Sequence, residues 1–81
     1  MVIVSPEELN RHLGSVICAP LTSSLRNYPF RPLVMVNNTQ GQVALDQIRA
    51  LDKTRLQKFI GRLNQEEQAR VLSRLMEMFA P

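Results

Sequence analysis

The chain has 81 residues, enough for one small domain with one modest core. A 44% apolar composition excludes a disordered chain, and ten Lys and Arg against seven Asp and Glu leave a net charge of +3. One cysteine excludes an internal disulfide and a cysteine-rich zinc site, and no apolar run nears the roughly twenty residues of a membrane helix.

In chain order, "MVIV" is a short β-branched run suited to a buried strand. In "SPEELNRHLG", Ser5 is placed to cap, Pro6 to open a short helix or turn, Glu8 to complete a capping box and Gly14 to end it. "SVICAPL" is the next strand, with Pro20 marking an edge or bulge and Cys18 read as a buried free thiol. The polar stretch from about Thr22 to Pro29 is an exposed loop, and "FRPLVMV" is a strand with Pro32 near its start. "NNTQG" turns tightly, so the next segment pairs back as a hairpin. The segment "QVALDQIRALDKTRL" fits an amphipathic helix tolerably, but its alternation and hairpin context favour a strand over residues 42–50. "DKTRL" then reads as one helical turn with Asp52 as cap. From Asn64, with Glu67 three residues on, a long helix carries Leu72, Leu75, Met76 and Phe79 on one stripe.

The elements sum to an α+β domain around a mainly antiparallel sheet. Eight of the ten cations are arginine, whose planar fork suits phosphates and carboxylates, but they are scattered. The charge therefore fits nucleic acid, an acidic protein or a plain basic surface equally. His12 stands alone, and His, Cys and carboxylates never fall at zinc spacing. There is no Gly-rich phosphate loop and no Ser-His-Asp set, so composition and spacing alone name no reaction.

"VIVSPEELNR", "ICAPLTSS", "YPF" and "VALDQIRALDKTRL", followed by a closing amphipathic helix, resemble in that order the MazF/PemK family of toxin endoribonucleases from bacterial toxin–antitoxin modules. The resemblance runs from about Val2 to Phe79. It implies a small SH3-like barrel, a twisted antiparallel sheet with a C-terminal amphipathic helix, working in the cytoplasm as a homodimer. It further implies cleavage of single-stranded RNA with the ribose 2′-hydroxyl as nucleophile, needing no metal or other cofactor. An acidic antitoxin protein would be the second partner, and a membrane plays no part. The apolar helix stripe, more than so small a sheet can cover, agrees with a dimer.

Carried over by residue, Thr22 matches the family threonine that bonds the scissile phosphate, and Asp46 matches an acidic residue proposed as general base. Gln47 falls at a substrate-contacting glutamine, and Ser23, Ser24, Arg26 and Arg49 are the neighbouring candidates for holding RNA. The residues by themselves equally allow Thr22 to cap a loop, Asp46 to be a surface carboxylate and Gln47 to bond a neighbouring strand. The chain starts at "MVIV", where a family loop bearing the catalytic arginine would end, so a domain incomplete at its N-terminus is expected. Arg26, Arg31 and Arg49 are the candidates to replace that cation. A noncatalytic module for dimerisation or antitoxin binding is the alternative, and a CcdB-like gyrase poison is disfavoured because the chain has no Trp and ends "MEMFAP".

Overall fold

The structure, a computed structural model, describes residues 1–55 and 63–81. Two three-stranded antiparallel sheets share one core. The first takes β1 (Val2–Ile3), β2 (Ser15–Ala19) and β6 (Arg49–Asp52) in the order β1-β2-β6. The second takes β3 (Leu21–Thr22), β4 (Leu33–Val36) and β5 (Thr39–Val43) in the order β3-β5-β4. A short helix α1 (Glu7–His12) follows β1, and the long helix α2 (Gln65–Phe79) closes the chain. The expected α+β class and C-terminal helix are present; the single sheet is instead two.

That division explains where the strand expected over residues 42–50 breaks. A strand serving both sheets must turn a corner, and a 3₁₀ turn at Leu45–Gln47 makes it, closed by Gln47 and Ile48 amides donating to the Ala44 and Leu45 carbonyls. Leu45, fully buried, plugs the core from this turn. The chain makes its other crossing at Pro20, between β2 and β3. The two corners are tied together, because the Ala44 amide donates to the Pro20 carbonyl at 2.9 Å. Proline is suited there, having no amide to leave unpaired where the ladder stops.

The tight turn after β4 is a two-residue hairpin loop. Asn37 and Asn38 have φ of 51° and 61°, the left-handed backbone that a primed hairpin turn requires and Asn tolerates. "DKTRL" also behaves as read: Asp52 accepts from the Thr54 amide and hydroxyl, heading a 3₁₀ turn at Lys53–Arg55, while Leu56 lies outside the described residues. At α1 the capping box is not formed. Pro6 is the cap position, and the Ser5 hydroxyl donates to Asn10 while accepting the Ile17 amide of β2. Bonding the neighbouring strand displaced the local cap.

On α2 the capping box of Asn64 and Glu67 is complete. Val71 is buried, and Leu75 and Met78 pack against the same core. Leu72, Met76 and Phe79 of the apolar stripe are 56%, 74% and 67% exposed while Leu75 packs inward, so the sheets leave most of the stripe uncovered. The inner face of the helix includes a charged anchor. Glu67 accepts the Met35 amide at 2.6 Å, and Arg70, three residues on, donates to the Leu33 carbonyl at 2.6 Å. Both backbone groups belong to β4, one of the two outer strands of its sheet.

Candidate functional site

Thr22 ends β3 opposite Gln42 of β5, and Leu33 of β4 stands opposite the same glutamine. Side chains of directly opposed residues share a face, so Thr22, Gln42 and Leu33 point away from the face that carries Leu21, Val34 and Val43 into the core. Gln42 is nevertheless buried. The loop of residues 23–32 folds back over it, and its amide holds that loop at both ends. The Arg26 amide donates to Oε1 at 2.7 Å, while Nε2 donates to the Arg26 and Arg31 carbonyls at 2.8 and 3.1 Å. Every polar atom of the side chain is used.

Two further attachments fix the far end of the loop. Phe30 adopts a left-handed φ of 62°, unusual for a bulky residue, and its carbonyl accepts the Leu45 amide. Arg31 then reaches the 3₁₀ turn, where Nε and Nη2 each donate to one oxygen of Asp46 at 3.0 Å. The guanidinium also lies 4.9 Å from the ring centre of Tyr28. The loop is thus pinned at Arg26, Phe30 and Arg31, leaving residues 27–29 between the pins.

The Thr22 hydroxyl accepts the Ser24 amide at 3.1 Å. A hydroxyl has one proton to give beyond what it accepts, so Thr22 retains a donor for an outside oxygen. Beside it, a surface groove of about 350 Å³ runs from Leu21, Thr22 and Ser23 to Val36, Asn37 and Gln40. Gly41 lies in its floor because space is short: a Cβ there would stand 3.1 Å from the Thr22 carbonyl and 3.2 Å from the Leu21 side chain. Leu21 is able to rotate, but the carbonyl belongs to the β3–β5 pairing. Gly41→Ala is therefore expected to destabilise the fold by roughly 1 kcal/mol and displace Thr22. A urea midpoint equal to the parent's would contradict this.

Of the residues singled out in the sequence, the structure places Thr22 and Ser23 on the groove and Ser24 and Arg26 on the loop beside it, bonded to Thr22 and Gln42. Asp46 is drawn instead to Arg31, and among the described residues no hydrogen bond or ion pair joins it to Thr22. Gln47 is exposed on the 3₁₀ turn, and Arg49 begins β6 in the other sheet, opposite Cys18. The Cys18 thiol is buried and donates to the Arg49 carbonyl. Among the described residues, no three His, Cys, Asp or Glu side chains come together as a metal site would need, and no helix is long and apolar enough to cross a membrane. Gln42 and Tyr28 had no assigned role in the sequence. The only hint of Gln42 was a polar residue immediately before the apolar run "VAL".

The hydrogen bonds from Arg31 hold the Asp46 carboxyl below the usual carboxylate range. A lowered folded value means the pair stabilises the fold fully above the ordinary Asp value of about 3.9, and that the contribution disappears as pH falls through the folded value. No change is expected across neutral pH. A carboxyl-carbon NMR titration should put the Asp46 midpoint below that of an ordinary Asp, and Arg31→Gln should return it upward; coincident midpoints would show that the pair does not form in solution.

Two antiparallel sheets meeting at shared corners, closed by a terminal helix, define the fold of the MazF-type toxins. A crystal structure of an Mtb toxin superposes with a TM-score of 0.87, at 22% identity, over 96% of this chain and 89% of that one. The Mycobacterium tuberculosis toxin MazF-mt6 gives 0.84, at 22% identity, over 96% and 82%. No match was found among curated proteins. The chain belongs to the PemK-like, MazF-like toxins of type II toxin-antitoxin systems, matching that family over residues 1–79.

Proposed function

We propose that this toxin is an endoribonuclease that cleaves single-stranded RNA without a metal, and that Thr22 donates to the scissile phosphate. The family match over residues 1–79 carries the reading. In such a reaction the ribose 2′-hydroxyl gives up its proton as its oxygen bonds to phosphorus, the bond from phosphorus to the 5′-oxygen breaks with that oxygen taking up a proton, and a 2′,3′-cyclic phosphate remains. Negative charge grows on the phosphoryl oxygens, where a fixed hydroxyl proton is most effective. RNA lies along the groove beside Thr22 and Ser23, and Ser24, Arg26, Gln47 and Arg49 are the further candidates to contact it.

Asp46 acts in this reading through Arg31. Both its oxygens accept from the guanidinium and its proton affinity is lowered, which makes it a weak base for the 2′-hydroxyl. Its work is to orient Arg31 and the loop. The same pairing leaves Arg31 less free to bind phosphate, which favours a second reading, a noncatalytic module that engages RNA or an antitoxin. The protein acts in the cytoplasm as a homodimer joined through the exposed Leu72, Met76 and Phe79 stripe, and an acidic antitoxin competes for the groove.

Incubating the purified protein with a mixed-sequence RNA in EDTA separates the readings. Cleavage at short specific sequences, leaving cyclic phosphate and 5′-hydroxyl ends, is expected. Binding with no cleavage would select the noncatalytic module.

A further inference from the structure

We propose that Tyr28 is a stacking platform for one base of single-stranded RNA, braced from behind by Arg31; this rests on the RNA-directed reading above. The ring is 53% exposed, on a loop pinned on both sides by Gln42, Phe30 and Arg31. More than half of the residue's surface is thus open to an outside partner. One face of this ring is occupied by the guanidinium, 4.9 Å from its centre. Two hydrogen bonds to Asp46 hold the guanidinium against that face.

The other face is offered already oriented. A base that stacks there does so with little further loss of rotamer freedom in the protein, which is the usual route to affinity from a prepared surface. Every nucleobase has a π face, and aromatic side chains along a basic path are the common means of holding single strands. The surroundings suit an anionic chain: Arg26 and the Thr22 hydroxyl lie on the same folded-back loop and strand end, and the protein carries a net charge of +3. The pair with Asp46 neutralises Arg31, so the contact it supports is with a base rather than with backbone phosphate. Tyr28 therefore holds one base of the bound strand in place without selecting which base it is.

The chain has one tyrosine and no tryptophan, so its tyrosine emission comes from residue 28 alone. A mixed-sequence 2′-O-methyl decanucleotide, blocked against cleavage, should quench that emission on binding, and an abasic decamer should not. Binding followed by the anisotropy of a labelled decamer should weaken about tenfold or more in Tyr28→Leu and stay near the parent value in Tyr28→Phe, which keeps the ring. Undiminished binding by Tyr28→Leu with unchanged emission in the parent would overturn the platform and leave the RNA reading standing. Absence of any binding, together with absence of cleavage, would overturn both. Quenching by an acidic peptide but not by the decamer would assign the ring to a protein partner and so refute the inference.

Discussion

Thr22→Val is expected to lower RNA cleavage by about a hundredfold or more while leaving the fold intact. Valine copies the branched shape of threonine, and both suit the end of a strand. Among the described residues the hydroxyl makes one hydrogen bond, accepting the Ser24 amide at 3.1 Å, and that amide lies in an exposed loop where water can replace the lost partner. Stability should therefore change by less than about 1 kcal/mol. The rate falls further because a donor aimed at growing charge on phosphorus is worth more in the transition state than in the bound substrate. Thr22→Ser, which keeps the hydroxyl, should recover most of the activity. The measurement is single-turnover cleavage of a labelled RNA beside urea unfolding of the same samples. Equal rates for Val and parent would remove Thr22 from the chemistry.

Gln42→Leu is expected to cost on the order of 2–4 kcal/mol of stability and most of the RNA binding. Leucine fills a similar volume, so packing is not the main loss. Instead the Arg26 amide and the Arg26 and Arg31 carbonyls lose their part-buried partner together. Each such bond is worth about 1 kcal/mol net, and more where the abandoned group stays buried. Small domains have only about 5–15 kcal/mol in total, so the change should be plain in the urea midpoint. Gln42→Glu provides the sharper comparison. It keeps an acceptor for the Arg26 amide but sets a carboxylate against two carbonyls, and should be about as damaging as leucine despite its near-identical shape. Acidification should partly rescue it, since a protonated carboxyl has a proton to donate. A Leu variant within about 0.5 kcal/mol of the parent would show that the loop stands without its hook.

Elements governed by local chemistry were legible in the sequence. The Asn37–Asn38 turn, the Asp52 turn and the Asn64–Glu67 capping box each depend on bonds among residues within three positions of one another. Resemblance to the toxin family also held over residues 1–79. What escaped depends on distant partners. The break at Leu45–Gln47 exists because two sheets need a corner, and alternation along one segment says nothing of a second sheet. Ser5 left its helix for an amide of β2, twelve residues away. The burial of Glu67 on α2 was not legible either, because a charged residue is drawn inward there by a strand backbone that hydropathy does not register. Within the site, Thr22 was named from a motif, whereas Gln42 does its work through residues 11 and 16 positions away.

The anchoring of α2 on β4 bears on how this molecule fails as well as how it folds. An outer strand with free amides and carbonyls is a template for a strand from another chain, and proteins ordinarily guard it. Here the guard consists of two side chains, Glu67 taking the Met35 amide and Arg70 the Leu33 carbonyl, in place of a further strand. Both sit on the first turns of α2, so loosening that end of the helix uncovers β4 before the sheets come apart. The species released is a nearly intact body with one adhesive margin bearing Leu33 and Met35, themselves exposed. Heating should thus lead to strand-mediated clumping, rising with protein concentration, ahead of global melting. The helix that completes the core is also the latch that keeps these toxin molecules from joining edge to edge.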